Sequence, residues 1–239
     1  MKQILRQVTV TGADDSVDPI CLLGIAKAFP FVEFGILCSK NNAGTPRFPS
    51  YQWLDKLYEL KQYGVPLSMH LCGTWVRWIF NADKRILEDK LQLYFRMFDR
   101  IQLNFHAQPH FAKDGYLYYL KMFGDKPIIF QMDGTNENLY HGVKNFHVMA
   151  YPLYDLSGGN GVLPDKWDKP IGNYCGYAGG LSPENLQENL GKLSDIVGDI
   201  PIWIDAETSL RSNDNMQFDI DKVVRFLIVA KPYVISNLK

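Results

Sequence analysis

Polar and titratable side chains alternate with apolar ones along several short segments of this chain, as in a strand with one chemically active face. In Leu67–Cys72 the apolar Leu67, Met69 and Leu71 share one face, while Ser68, His70 and Cys72 share the other. Ile101–His106 repeats the pattern, with Ile101, Leu103 and Phe105 set against Gln102, Asn104 and His106. Gln131 and Asp133, His147 and Tyr151, and Trp203, Asp205 and Glu207 continue it, joined by Glu33. Carboxylate, imidazole and thiol groups on one surface are the ingredients of acid/base chemistry. Burying them costs free energy unless they bond to each other, to water or to a ligand. Two readings stay open: a wet functional cavity, or a self-satisfied structural network. A second run of interest is Gly179-Gly180-Leu181-Ser182-Pro183-Glu184. Its glycines permit close backbone approach, Ser182 suits a helix N-cap and Pro183 the first helical position. Exposed amides at such a helix start attract anions, although a tight strand-to-helix turn alone explains the same glycines. Asp14 and Asp15 are further acids or bases, or caps for a helix starting near Asp18.

These faces need strands that converge. Candidate strands are Val8–Thr11, Val32–Leu37, Leu67–Cys72, Ile101–His106, Ile128–Asp133, Phe146–Pro152, Gly172–Ala178 and Ile202–Glu207. The clearest helices between them are Asp18–Ala28, Tyr51–Tyr63, Thr74–Asp99, Pro183–Val197 and Asp219–Ala230, with weaker ones near Tyr116–Phe123 and Glu137–Tyr140. This rhythm predicts parallel βα units, and eight strands predict a closed (β/α)8 TIM barrel. The polar faces then point inward, and the site sits at the C-terminal ends of the strands. Gly12-Ala13-Asp14-Asp15, after the first strand, lacks the glycine pattern of a dinucleotide-binding open sheet.

With 239 residues and 46% hydrophobic side chains, one domain over 1–239 is expected. Lys and Arg total 25 against 26 Asp and Glu, so no global basic field recruits nucleic acid or an acidic membrane. Met1–Gln7 lacks a signal-peptide core and no segment has the roughly 18-residue apolar run of a membrane span, so a cytoplasmic protein is expected. Cys21, Cys38, Cys72 and Cys175 are scattered without a Cys-x-x-Cys pair and read as reduced thiols. Neither a cofactor nor an oligomeric state is specified.

Particular segments resemble the phosphoribosylanthranilate isomerase family, the (β/α)8 enzymes of tryptophan biosynthesis. Gly176-Tyr177-Ala178-Gly179-Gly180-Leu181-Ser182-Pro183-Glu184-Asn185-Leu186 is similar to the seventh-strand pattern A-G-G-L-[TS]-P-x-N-V. Leu153-Tyr154-Asp155, running on to Gly158-Gly159-Asn160-Gly161, resembles the L-L-D…G-G-T-G after the sixth strand, and Thr45-Pro46-Arg47-Phe48 the S-P-R-Y after the second. Val10-Thr11-Gly12-Ala13 sits where the family has I-C-G-L, and Ile204–Arg211 where it has V-D-x-S-S-G-V-E. The resemblance implies an Amadori rearrangement of a phosphorylated sugar derivative, in which an acid protonates the ring oxygen and a base removes the C2 proton. It implies Asp155 as the acid, Arg47 as the clamp on the anthranilate carboxylate, and a phosphate held by Gly179, Gly180 and Ser182 with Thr208 and Ser209.

Two departures matter. Thr11 stands where the family has its catalytic cysteine, and a threonine hydroxyl is too weakly acidic to replace a thiolate. Glu207 brings a carboxylate to the expected phosphate amides, where like charge weakens binding. Cys72, beside His70 on the inward face, is the candidate substitute base, with the imidazole favouring its thiolate; a buried structural pair is the other reading. Ser68-Met69-His70-Leu71 also resembles the D-V-H-L of ribulose-phosphate 3-epimerase. That resemblance implies a divalent metal, with Glu33, His106, Asp133, Asp205 or Glu207 as further ligands, although the family's second-strand His-x-Asp is absent. A barrel that binds a small ligand without turnover is the non-enzymatic alternative.

Overall fold

The structure, a computed structural model, describes residues 2–108, 115–155 and 161–236. Eight strands, β1 (Leu5–Thr11), β2 (Val32–Ser39), β3 (Leu67–Cys72), β4 (Arg100–Asn104), β5 (Ile128–Met132), β6 (Ala150–Tyr154), β7 (Cys175–Ala178) and β8 (Ile202–Ala206), pair in sequence order and close on themselves. Every pairing is parallel, including β1 with β8. Helices α1 (Pro19–Ala28), α2 (Tyr51–Leu60), α3 (Thr74–Phe80), α4 (Gly115–Leu120), α5 (Glu137–Lys144), α6 (Leu186–Val197) and α7 (Ile220–Ala230) connect the strands. The chain is therefore a (β/α)8 barrel.

Local chemistry sets the helix starts. Asp18, Ser50 and Asp219 accept hydrogen bonds from the amides of Ile20, Trp53 and Lys222 at 3.0, 3.2 and 3.0 Å, capping α1, α2 and α7. The long helix expected over Thr74–Asp99 does not form. α3 stops at Phe80, Ala82 takes φ +52°, and two 3-10 segments, Lys84–Glu88 and Lys90–Met97, follow. Asp83 and Asp89 cause the break, because each caps the turn that begins after it, accepting from Arg85 and Leu91. The sixth strand begins at Ala150 rather than Phe146, after an exposed His147 at φ +59°, and the seventh at Cys175 rather than Gly172. His147 thus lies off the strand and does not point into the barrel.

Strand alternation divides two environments. Val8, Val10, Phe34, Ile36, Met69, Leu71, Ile101, Leu103 and Phe130 are buried in the core beneath the helices. The inner face is mixed at mid-height, where a small apolar cluster of Ile129, Leu153 and Trp203 sits beside a buried polar group. Arg100 donates from Nε to Glu33 Oε1 at 2.9 Å and pairs with Oε2, while Thr9 Oγ1 donates to Oε2 at 3.0 Å. The guanidinium lies 4.7 Å from the centre of the Trp203 ring. Gly176 makes room for that indole, since a Cβ there would stand 2.2 Å from Trp203 Cε2.

Candidate functional site

Above this plug the barrel opens into a cavity of about 200 Å³ at the C-terminal strand ends. His70, Gln131, Asp155, Asp205 and Glu207 line it, together with the Gly179–Leu181 turn. Both aspartates follow from register: each continues the inward alternation of β6 or β8.

Asp205 is buried, and Thr11 Oγ1 donates to its Oδ1 at 2.7 Å. Burial pushes the Asp205 carboxyl up to about 8 against the Thr11 bond, with Glu207, Asp155 and Glu33 adding to the rise. The group therefore holds a proton at neutral pH. Thr11 occupies the inward end of β1, where it orients Asp205. Asp155, just past β6, accepts from Gln131 Nε2 at 3.2 Å.

His70 and Cys72 do not form a thiolate pair. Burial, with Arg100 nearby, depresses His70 to about 3, so its ring is neutral. Burial first, then Glu207, raises the Cys72 thiol to about 12, and Asn104 Nδ2 lies 3.6 Å from Sγ. That environment keeps Cys72 protonated and puts no imidazolium beside it. His70 Nε2 is buried without a hydrogen-bond partner among the described residues. It packs on Gly35, where a Cβ would fall 2.1 Å from Thr11 Oγ1 and 2.7 Å from His70 Cε1.

Arg47 is fixed at the mouth and is no solvated surface arginine. Its backbone takes φ +76° and donates to Asp14 Oδ2 at 2.6 Å. Its guanidinium meets Glu207 at 3.1 Å, Thr208 Oγ1 at 2.8 Å and Asn215 Oδ1 at 3.2 Å. Asp14 also pairs with the fully buried Arg211 at 2.7 Å. Although burial opposes it, Ser16, the Arg47 amide and Arg211 hold the Asp14 carboxyl below its usual range. Asp14 therefore anchors two arginines, and Asp15 binds the amide and hydroxyl of Ser50; neither caps α1. Burial raises Glu207 while Arg47 and Arg211 oppose the rise.

The glycine turn is built differently from the sequence expectation. Gly179 and Gly180 have φ +108° and +62°, and a Cβ on Gly180 would stand 2.5 Å from Leu163 N. Their missing side chains admit the Gly161–Leu163 segment against the turn. α6 starts at Leu186, so Ser182 is not its N-cap; the Ser182 amide donates to Asn185 Oδ1 at 2.9 Å. Asn185 ties the turn together, donating to Gly180 O at 2.8 Å. Ser209 Oγ donates to Leu181 O, and Thr208 receives Arg47. Gly158 and Gly159 lie outside the described residues. Among the described residues, no group of three or more His, Cys, Asp or Glu is arranged to hold a metal ion. Glu33 is committed to Arg100 below the cavity.

The acid/base candidate that the sequence did not single out is Asp205, which stood there as an inward polar group and as one of several further metal ligands. Its signal was its register on the last strand; the burial that sets its protonation state had none.

No family model matches the chain, and the search of curated proteins found no match. Among solved structures, phosphoribosyl anthranilate isomerase from Thermus thermophilus aligns over 95% of this chain and 98% of its own, with a TM-score of 0.59 and 16% identity. The two proteins share the barrel fold. At that identity the likeness extends to architecture and leaves activity to be argued from the site.

Proposed function

We propose that this chain is an isomerase-like barrel that acts on a phosphorylated sugar derivative, of the kind phosphoribosylanthranilate represents. The observation that carries the reading is that two carboxyl groups, Asp155 and Asp205, face one cavity, and that burial keeps a proton on Asp205 near neutral pH. An aldose–ketose rearrangement needs such a division of labour. Asp205 donates its proton to the ring oxygen as the C1–O bond breaks. Asp155 takes the proton from C2, and the C–H electron pair becomes the C1–C2 double bond. This gives Asp155 the role of base, opposite to what the family resemblance implies for its position, and explains how a barrel with Thr11 could dispense with the cysteine. Thr11 orients the acid, and Arg47 and the Gly179–Gly180 turn receive the ligand's anionic groups.

The Glu207–Arg47 ion pair favours a second reading, a barrel that binds without turnover, because the mouth arginine is already engaged. Purified protein supplied with phosphoribosylanthranilate separates the two. Turnover that falls about 10²–10⁴-fold in both Asp155→Asn and Asp205→Asn is expected. Turnover untouched by either substitution refutes the assigned roles, and none in wild type refutes the isomerase reading.

A further inference from the structure

β4 and β5 each place one more polar side chain beyond the cavity. Asn104 and Gln131 line the cavity, and the next residues, Phe105 and Met132, turn outward into the core. His106 and Asp133 follow the C-terminal ends of β4 and β5, each two residues beyond a cavity-lining side chain, Asn104 or Gln131. There His106 Nδ1 is hydrogen-bonded to Asp133 Oδ2. The Asp133 side chain is 3% exposed and that of His106 is 59% exposed. The other carboxylate oxygen, Oδ1, accepts from the Thr135 amide and hydroxyl, both at 2.8 Å, and from the Asn136 amide at 3.3 Å. The fully buried Asn136 staples the two strand ends, donating to the carbonyls of Phe105 and Gln131 at 2.7 and 3.0 Å and accepting from Ala107 N at 2.8 Å.

A carboxylate can only accept, so Asp133 fixes the proton on His106 Nδ1 and leaves a lone pair on Nε2 of the exposed edge. We propose that His106 is an acid/base residue for the cavity's ligand, acting through Nε2, with Asp133 as the positioning residue that sets its tautomer. The proposal rests on the sugar-phosphate reading above and supplies the proton acceptor that reading lacks. Once Asp155 has removed the C2 proton, the enol must collapse to the ketone. C1 takes the proton back from Asp155, and the O2 hydroxyl loses its proton to Nε2. The imidazolium then returns that proton to solvent, from which Asp205 regains the one it gave to the ring oxygen.

The test is long-range 15N–1H correlation NMR of the His106 ring in the intact protein at mildly alkaline pH, with and without ribose 5-phosphate as the probe, together with turnover. Wild type is expected to show the Nδ1–H form, and the probe to move the His106 Nε2 resonance. Asp133→Asn keeps the shape and the Oδ1 bonds but presents an NH2 group to Nδ1, so it is expected to switch the ring to the Nε2–H form. Turnover of phosphoribosylanthranilate is expected to fall about 10²–10⁴-fold in Asp133→Asn and His106→Gln. A freely exchanging tautomer in wild type, an unmoved tautomer in Asp133→Asn, or undiminished turnover by His106→Gln overturns the proposal. Probe shifts at the amides of Asp155 and Gly180 but none at His106 overturn it while sparing the cavity assignment. No shift anywhere overturns both.

Discussion

Asp205→Asn tests the site through stability as well as turnover. The amide keeps the shape of the carboxyl and removes its ionisation. In wild type burial pushes the folded carboxyl up to about 8, against an ordinary value of 3.8, so the native state binds the proton more tightly than the unfolded state. Stability is lost progressively as pH rises from about 4 to 8. His70 works in the opposite direction over the lower part of this range: its folded value is about 3 against 6.5, so its neutral burial gains stability as pH rises towards 6.5. Between pH 6.5 and 8 the Asp205 slope is no longer opposed by His70. That is about one and a half pH units at roughly 1.4 kcal/mol each, or about 2 kcal/mol lost. The carboxyl of Glu207 is also raised and repels Asp205, so any change that Asp205→Asn makes to its titration adds to the difference with the same sign. Urea unfolding at pH 6.5, 7.25 and 8 is the assay. The stability of Asp205→Asn relative to wild type is expected to improve by about 2 kcal/mol across that window. A difference that stays constant with pH would refute the protonated Asp205, and with it the acid role.

Three further outcomes follow from the geometry. Gly35→Ala places a Cβ 2.1 Å from Thr11 Oγ1, so thermal unfolding should show a loss of at least about 1–3 kcal/mol from overpacking, with turnover falling as Thr11 is pushed off Asp205. Arg100→Met leaves the fully buried Glu33 without its cation, and chemical denaturation at neutral pH should show a loss of about 3–5 kcal/mol; Arg100→Met combined with Glu33→Leu should recover much of it. Glu207→Gln frees Arg47 and removes a like charge from the mouth, so calorimetry should show inorganic phosphate binding about tenfold or more tighter, on the scale of a partly screened charge contact.

The barrel was legible because its strands carry two-residue alternation at both surfaces, and a closed parallel sheet leaves that pattern one solution. The bounds of β3 agree with the sequence reading residue for residue, and Ser68 and His70 occupy the inward face it assigned. Helices were harder to read where polar side chains compete with the backbone. Asp83 and Asp89 look like ordinary members of a charged helix over 74–99, yet each caps a new turn and interrupts it. Within the site, identity was easier to read than ionisation. Sequence spacing puts His70 and Cys72 on one face, but a thiolate needs a cationic setting, and the neutral His70 and the nearby Glu207 provide none. Asp205 shows the converse: its partner Thr11 is 194 residues away, so nothing local marked it as the carboxyl that keeps its proton.

Charge balance at the mouth links these groups to a single binding property. Asp155, Asp205 and Glu207 line the cavity that the mouth guanidinium of Arg47 adjoins, since Arg211 is spent on Asp14 and the Gly12 carbonyl. An anionic ligand entering with all three carboxyls ionised meets net repulsion. The raised carboxyls of Asp205 and Glu207 relieve it, because a bound phosphate favours protonation of both, and phosphate affinity is expected to fall as pH rises through the Asp205 value of about 8. Protonating Glu207 and replacing it with glutamine reach the same uncharged state. The gain in phosphate affinity on acidification should accordingly be smaller in Glu207→Gln than in wild type, and the two perturbations should not add. Calorimetric titration of both proteins with phosphate across the neutral range measures this, corrected for the ligand's own ionisation. Equal pH dependence in the two proteins would place the phosphate away from Glu207 and the Gly179–Gly180 turn.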